Sequence, residues 1–223
     1  MTLPPDGPLV ATRRSLHAVA EHVLAAALYA AVGRIGLRAA PGGFGTPPFP
    51  AGDGGGEHRL RVDGTDLVVL DAGGSGADAG PTRRAPLTTL RAAGDVAGIE
   101  PGAPADVYTP ATPLDLDAPL TVDPGAARTL ADWYALVDAA LAAFTAEHAA
   151  EDPATVQLWP EHFDLATTVG RVNYGGSPGD DDHPRPYLYV GPHDPPAPGG
   201  SDRFWNEPFG ASAPAERIES VDA

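Results

Sequence analysis

Apolar residues recur at helical spacing in three parts of the chain and alternate with polar ones in several shorter stretches. Leu16, Val19, Ala20, Val23, Leu24, Ala27 and Leu28 share one helical face. They predict a first helix from a Thr12 cap to Gly33, where glycine supplies a left-handed closing residue. A short helix carrying Leu87, Leu90, Ala93 and Val96 is expected to open at Pro86 and close near Gly98. The clearest helical stripe follows Asp123–Pro124, a cap with a first-turn proline, and runs from Ala127 through Trp133 and Tyr134 to Phe144, ending before Asp152–Pro153.

Strand patterns fall in two groups. RIGLRA (34–39) alternates, and HRLRV and TDLVVL flank Asp63–Gly64, a hairpin signal. In the last third VQLW, HFDLATT, RVNYG and PYLYVGP read as short strands between Gly, Pro and Asp clusters. Residues 40–56 and 72–85 read as irregular, 100–122 as a proline-rich extended surface segment, and 212–223 as a frayed acidic tail. Without regular β-α-β alternation, the pattern predicts a single α+β domain over 1–223: a mainly antiparallel sheet with two long helices and one short helix packed on one face.

Composition removes whole classes of chemistry. The chain has no cysteine, so disulfides, thiolate metal sites and cysteine nucleophiles are excluded. All 14 basic residues are arginine, which excludes a Schiff-base lysine and a phosphate loop of the G-x-x-x-x-G-K type. A formal net charge of −16 disfavours nucleic acid and anionic membranes as partners and suits a cationic one. TRRSLHAV (12–19) imitates a twin-arginine export signal, but Glu21 and His22 interrupt the apolar core behind it. No run is expected to reach the length of a membrane span, and the expected location is cytoplasmic.

Candidate chemistry gathers in LWPEHFDLA (158–166). If it is a strand, His162 and Asp164 share the face opposite Phe163 and Leu165. They can form an acid/base pair, ligate a metal with a further residue, or brace a sheet edge marked by Pro160. Tyr187 and Tyr189 share a face of PYLYV, suited to ligand contact or cross-strand packing, and Trp159, Trp205 and Phe204 complete a pocket wall or core. His17 and Glu21 lie one helical turn apart, a weak metal signal beside a plain hydrogen-bonded histidine. GDDDHP (179–184) reads as a solvated turn before a cation site. GGFG and GGSG read as loops, and GGSPG (175–179) is no nucleophile elbow because Pro178 stands where its helix would begin.

The run LWPEHFDLA, a Gly–Ser–Pro–Gly–Asp turn and PYLYVGP resembles a bacterial family of uncharacterised conserved proteins, a domain of unknown function, with weaker matches at Leu16–His17 and Arg34–Leu37. The resemblance marks His17, Trp159, His162, Asp164, Asp180, Tyr187 and Tyr189 as pattern residues and implies no activity. The expectation is a small-molecule binding protein or enzyme with a pocket between the sheet and helix one. In it His162 and Asp164 are catalytic, and His17, Trp159, Tyr187, Tyr189 and Trp205 contact ligand. A noncatalytic interaction module and a metal-dependent hydrolase are the alternatives. The motifs assign no cofactor, metal or oligomeric state.

Overall fold

A computed structural model describes residues 7–50, 56–72, 82–195 and 204–218. The first helix, α1, spans Pro8–Val32, α-helical over Pro8–Val19 and Ala26–Val32 and widened to a π-turn over Ala20–Ala25. It starts before the expected Thr12 cap. Gly7 is the capping position and Pro8 fills the first turn, where a missing N–H costs nothing. Thr12 is fully buried instead, and its hydroxyl accepts the Asp123 N–H at 2.9 Å. The helix closes at Gly33 in the left-handed conformation (φ 67°). Contrary to expectation, α1 is long and apolar enough to cross a membrane, with mean hydropathy 1.4 over its best window. Yet 61% of that window is buried inside the fold, as a core helix requires.

Helix α2, Leu90–Ala97, is capped by Thr89, which accepts the Ala92 N–H at 3.1 Å, and closes at Gly98. Helix α3, Pro124–Glu147, is capped as expected by Asp123, whose carboxylate accepts the Ala126 N–H at 2.8 Å.

The strands form two antiparallel sheets rather than one. The first contains β1 (Arg38–Ala40), β2 (Gly43–Gly45), β4 (Glu57–Asp63), β5 (Asp66–Ala72) and β6 (Arg83–Pro86) in that order, with β3 (Phe49–Pro50) also on β4. The hairpin expected at Asp63–Gly64 joins β4 to β5. Three stretches read as irregular or helical prove to be strand. GFG pairs as β2 because Phe44 is fully buried there, edge-on to Tyr134 and Phe163. Arg83–Pro86 pairs with β5, so Pro86 ends a strand instead of opening a helix; residues 73–81 of that expected loop lie outside the described set. In the tail, β11 (Ala211–Pro214) pairs with β10, while residues 219–223 lie outside the described set.

The second sheet is a meander of β7 (Gln157–Trp159), β8 (Asp164–Val169), β9 (Val172–Ser177), β10 (Tyr187–Pro192) and β11. Among the described residues one rung joins the sheets: Leu37 and Leu158 exchange both backbone hydrogen bonds at 2.8 Å. Helix α3 packs on β1 and β2 of one sheet and β8 and β9 of the other, so one continuous core underlies both. The class is α+β with antiparallel sheets.

Two consecutive glycines set the spacing around β9. A Cβ on Gly176 would stand 2.5 Å from a Val137 methyl of α3, so glycine lets the helix settle on that face. A Cβ on Gly175 would stand 2.5 Å from the Tyr189 ring, so glycine lets that ring lie across β9 on the other face.

Candidate functional site

LWPEHFDLA is not one strand. Trp159 ends β7, Pro160–Phe163 make a tight turn, and Asp164 begins β8 opposite Trp159. The Phe163 N–H closes the turn on the Trp159 carbonyl at 2.7 Å. Phe163 takes a left-handed backbone (φ 57°), which costs a non-glycine residue about 1–2 kcal/mol. Tertiary contacts hold it there. Tyr134 donates its hydroxyl to the Phe163 carbonyl at 2.8 Å, and the buried Phe163 ring stacks on His17 with centroids 4.9 Å apart. The alternation expected across 162–165 therefore does not apply to His162, which sits exposed in the turn.

His17 Nε2 lies 2.7 Å from the Pro160 carbonyl, which can only accept, so this nitrogen carries a proton and donates. Glu21 is farther, at 3.9 Å. Burial pushes the His17 pKa below 6.5, opposed by Glu21 and by the Pro160 carbonyl. A neutral His17 with Nε2–H keeps only Nδ1 as an acceptor.

Asp164 is almost wholly buried, at 7% exposure. Its Oδ2 accepts the Tyr189 hydroxyl at 2.5 Å, while Oδ1 has no partner. Burial lifts its pKa above 3.8, against the lowering effects of Tyr189 and of His162. No hydrogen bond or ion pair joins Asp164 to His162, so the carboxylate orients Tyr189 rather than an imidazole. Two residues before Tyr189 on β10, Tyr187 donates to Asp180 Oδ2 at 2.6 Å. Burial and these carboxylates push both tyrosines above 10.

Asp180 organises the GDDDHP turn: its Oδ1 accepts the Asp182 and His183 N–H groups at 2.9 and 2.6 Å. The buried Arg13 of α1 donates to the Asp180 and Pro184 carbonyls at 2.9 and 3.2 Å, tying the turn to the helix. The exposed Arg14 pairs with Asp181 at 3.0 Å.

These groups border one cleft of about 960 Å³. Its floor is the face of β8–β10 that carries Asp164, Ser177, Tyr187, Tyr189 and Gly191, opposite the face α3 covers. Arg13 to Ala18 of α1 form one wall, and segment 111–120 forms another. Of the sequence-flagged residues His17, His162, Asp164, Asp180, Tyr187 and Tyr189 border it. Trp159 and Trp205 do not; Trp159 lies in β7, and Trp205 packs edge-on to Phe204. Among the described residues no three His, Asp or Glu side chains cluster as a metal centre.

Two residues that interrupt an apolar stretch, Glu21 (read also with His17 as a weak metal signal) and His22, shape this site from behind. Glu21, fully buried in the π-turn, accepts the Ala111 and Thr112 N–H groups at 2.8 Å each, and the Thr112 hydroxyl. Buried His22 accepts the Ala103 N–H on Nδ1 at 3.1 Å, and its Nε2 lies 3.0 Å from the Thr112 carbonyl. Together they pin the proline-rich segment that forms the second wall. The signal was present: adjacent ionisable residues inside an apolar helix must be buried with partners.

Comparison with protein-family models, with curated proteins and with solved structures returns no match.

Proposed function

We propose that this protein binds a small molecule in the cleft between the β8–β10 face and α1. One observation carries the reading: a buried carboxyl, two tyrosines and two histidines from separate elements converge on a single cavity. Its size suits a metabolite-scale ligand. The lining mixes apolar residues, such as Leu90, Leu120 and Phe209, with a few fixed polar groups. Catalysis is the second reading, favoured by His162 standing on the cleft beside Asp164. In that case His162 moves the proton and Asp164 acts through Tyr189 as a positioning residue. The interaction-module alternative, in which polar residues brace a sheet and the anionic surface meets a cationic partner, stands beside these readings; the 100–122 segment it could use for extended contacts is tied to α1 at Ala103, Ala111 and Thr112. The cytoplasmic setting and the resemblance to a domain family of unknown function remain parts of this proposal.

The test fills the cleft without touching its acids. Gly191 borders the cavity on the parity of Tyr189, and a Cβ there meets nothing closer than the Phe209 carbonyl at 3.6 Å. Gly191→Leu should therefore fold and occupy the floor. A fragment library screened by thermal shift should give hits on the wild type that vanish on Gly191→Leu. Hits that persist unchanged would place binding elsewhere, and their complete absence on the wild type would end the proposal.

A further inference from the structure

Granting that the cleft binds a ligand, its inventory of hydrogens constrains what that ligand is. Several donors that border the cleft are already engaged, although His162 is not among them and each arginine keeps further N–H groups. The Tyr189 hydroxyl hydrogen goes to Asp164 and the Tyr187 hydrogen to Asp180. His17 Nε2–H goes to the Pro160 carbonyl, and Arg13 to two backbone carbonyls. Arg14 is paired with Asp181. Beside these engaged donors stand acceptors: hydroxyl lone pairs, the Oδ1 of Asp164 and the Oε2 of Glu161. Those two carboxylate oxygens are buried without any partner, and both residues border the cleft. Leaving such an oxygen unpaired costs about 1–3 kcal/mol or more for a charged group, a cost that a ligand supplying a donor removes.

The second observation is aromatic. Tyr187, Tyr189 and Phe209 all border the cleft, with Tyr189 centred 6.3 Å from each of the other two rings. Aromatic rings bordering a cavity beside an unpartnered carboxylate oxygen suit an organic cation. The charge of the whole chain, −16, acts in the same direction by drawing cations toward it.

We propose that the cleft takes an organic cation, an amine or guanidinium compound with an apolar body, seating its charged group against Asp164 and Glu161 and between the rings of Tyr187, Tyr189 and Phe209. Of the arginines that border the cleft, Arg13 donates to the Asp180 and Pro184 carbonyls and Arg14 pairs with Asp181.

Isothermal titration of the full-length protein with four probes of one shape tests this: benzylamine, benzyltrimethylammonium, benzyl alcohol and benzoate. Benzylamine should bind at least about tenfold tighter than the alcohol or benzoate. Asp164→Asn should weaken it by about tenfold, and Glu161→Gln by less. Both variants change the net charge by one, so general attraction to an anionic surface survives in them. Should Asp164→Asn fail to fold, Glu161→Gln carries the comparison. Benzoate or benzyl alcohol binding as tightly as the amine, and lost in Gly191→Leu, would overturn the cation preference while leaving the binding site intact. Amine affinity unchanged in both acid variants would overturn it too. If no probe binds in a manner sensitive to Gly191→Leu, the site and its preference fall together.

Discussion

The proline-rich wall of the cleft should depend on one buried carboxylate, and Glu21→Ala measures that dependence. Glu21 accepts two backbone N–H groups and one hydroxyl from Ala111 and Thr112. The hydroxyl can rotate its hydrogen toward the cleft that Thr112 borders, since His22 Nε2, 3.2 Å away, carries a proton itself and cannot accept it. The two amides have no such alternative. Each unpaired buried donor costs about 1–3 kcal/mol, giving a range of about 2–6 kcal/mol. The amides lie in a partly buried segment that borders the cleft, so water reaches them more easily than it would in the core. That favours the lower half of the range, and about 3 kcal/mol is expected. Glu21→Gln keeps the shape and one accepting oxygen but turns an amide N–H₂ toward a donor, so it should lose about 1–2 kcal/mol. Urea denaturation gives the magnitudes, and hydrogen exchange at the Ala111 and Thr112 amides gives the location. In Glu21→Ala those two amides should exchange much faster than the helical amides of α3. A loss below about 1 kcal/mol with both amides still protected would refute the anchoring role.

Other substitutions probe the floor and the packing beneath it. Asp164 has a raised pKa, so the folded state holds a proton that the unfolded state has released once pH rises past 3.8. Its contribution to stability therefore falls as pH climbs from 3.8 through the folded value. Asp164→Asn keeps an acceptor for Tyr189 and abolishes that titration, so its melting temperature should match the wild type near pH 3.5 and exceed it increasingly at higher pH, as read by thermal scans across the range. His162→Ala removes an exposed side chain and should shift stability by no more than about 0.5 kcal/mol in chemical denaturation. A markedly larger loss would restore the bracing role for His162. Gly176→Ala forces a methyl against Val137, also crowding Leu188 at 3.2 Å, and should cost about 1–3 kcal/mol by the same assay.

Elements governed by neighbouring residues were legible in the sequence. Gly33 and Gly98 close helices, Asp123 caps α3, and Asp63–Gly64 turns a hairpin, because each depends on chemistry within a few positions. Parity placed Tyr187 and Tyr189 on one face because β10 is a true strand. It failed at His162, where distant partners decide the backbone. The left-handed Phe163 is maintained by Tyr134 and His17, and nothing in WPEHF announces either. Phe44 likewise makes strand of a glycine-rich stretch only because α3 and the 160–163 turn supply its ring partners. Half of the site's architecture was thus hidden for one physical reason. Glu21 and His22 act on residues about ninety positions away, beyond the reach of any local pattern.

The Leu37–Leu158 rung is a seam, and a weak one. Two sheets sewn by one pair of residues would melt as separate units if nothing else joined them. Helix α3 lies across the seam and packs on strands of both sheets, a splint expected to couple them in one unfolding transition. The cleft thereby draws its rigidity from β1 and β2, which never border it. Damage in the far sheet should therefore loosen the floor of the cleft while leaving the side chains that border it unaltered.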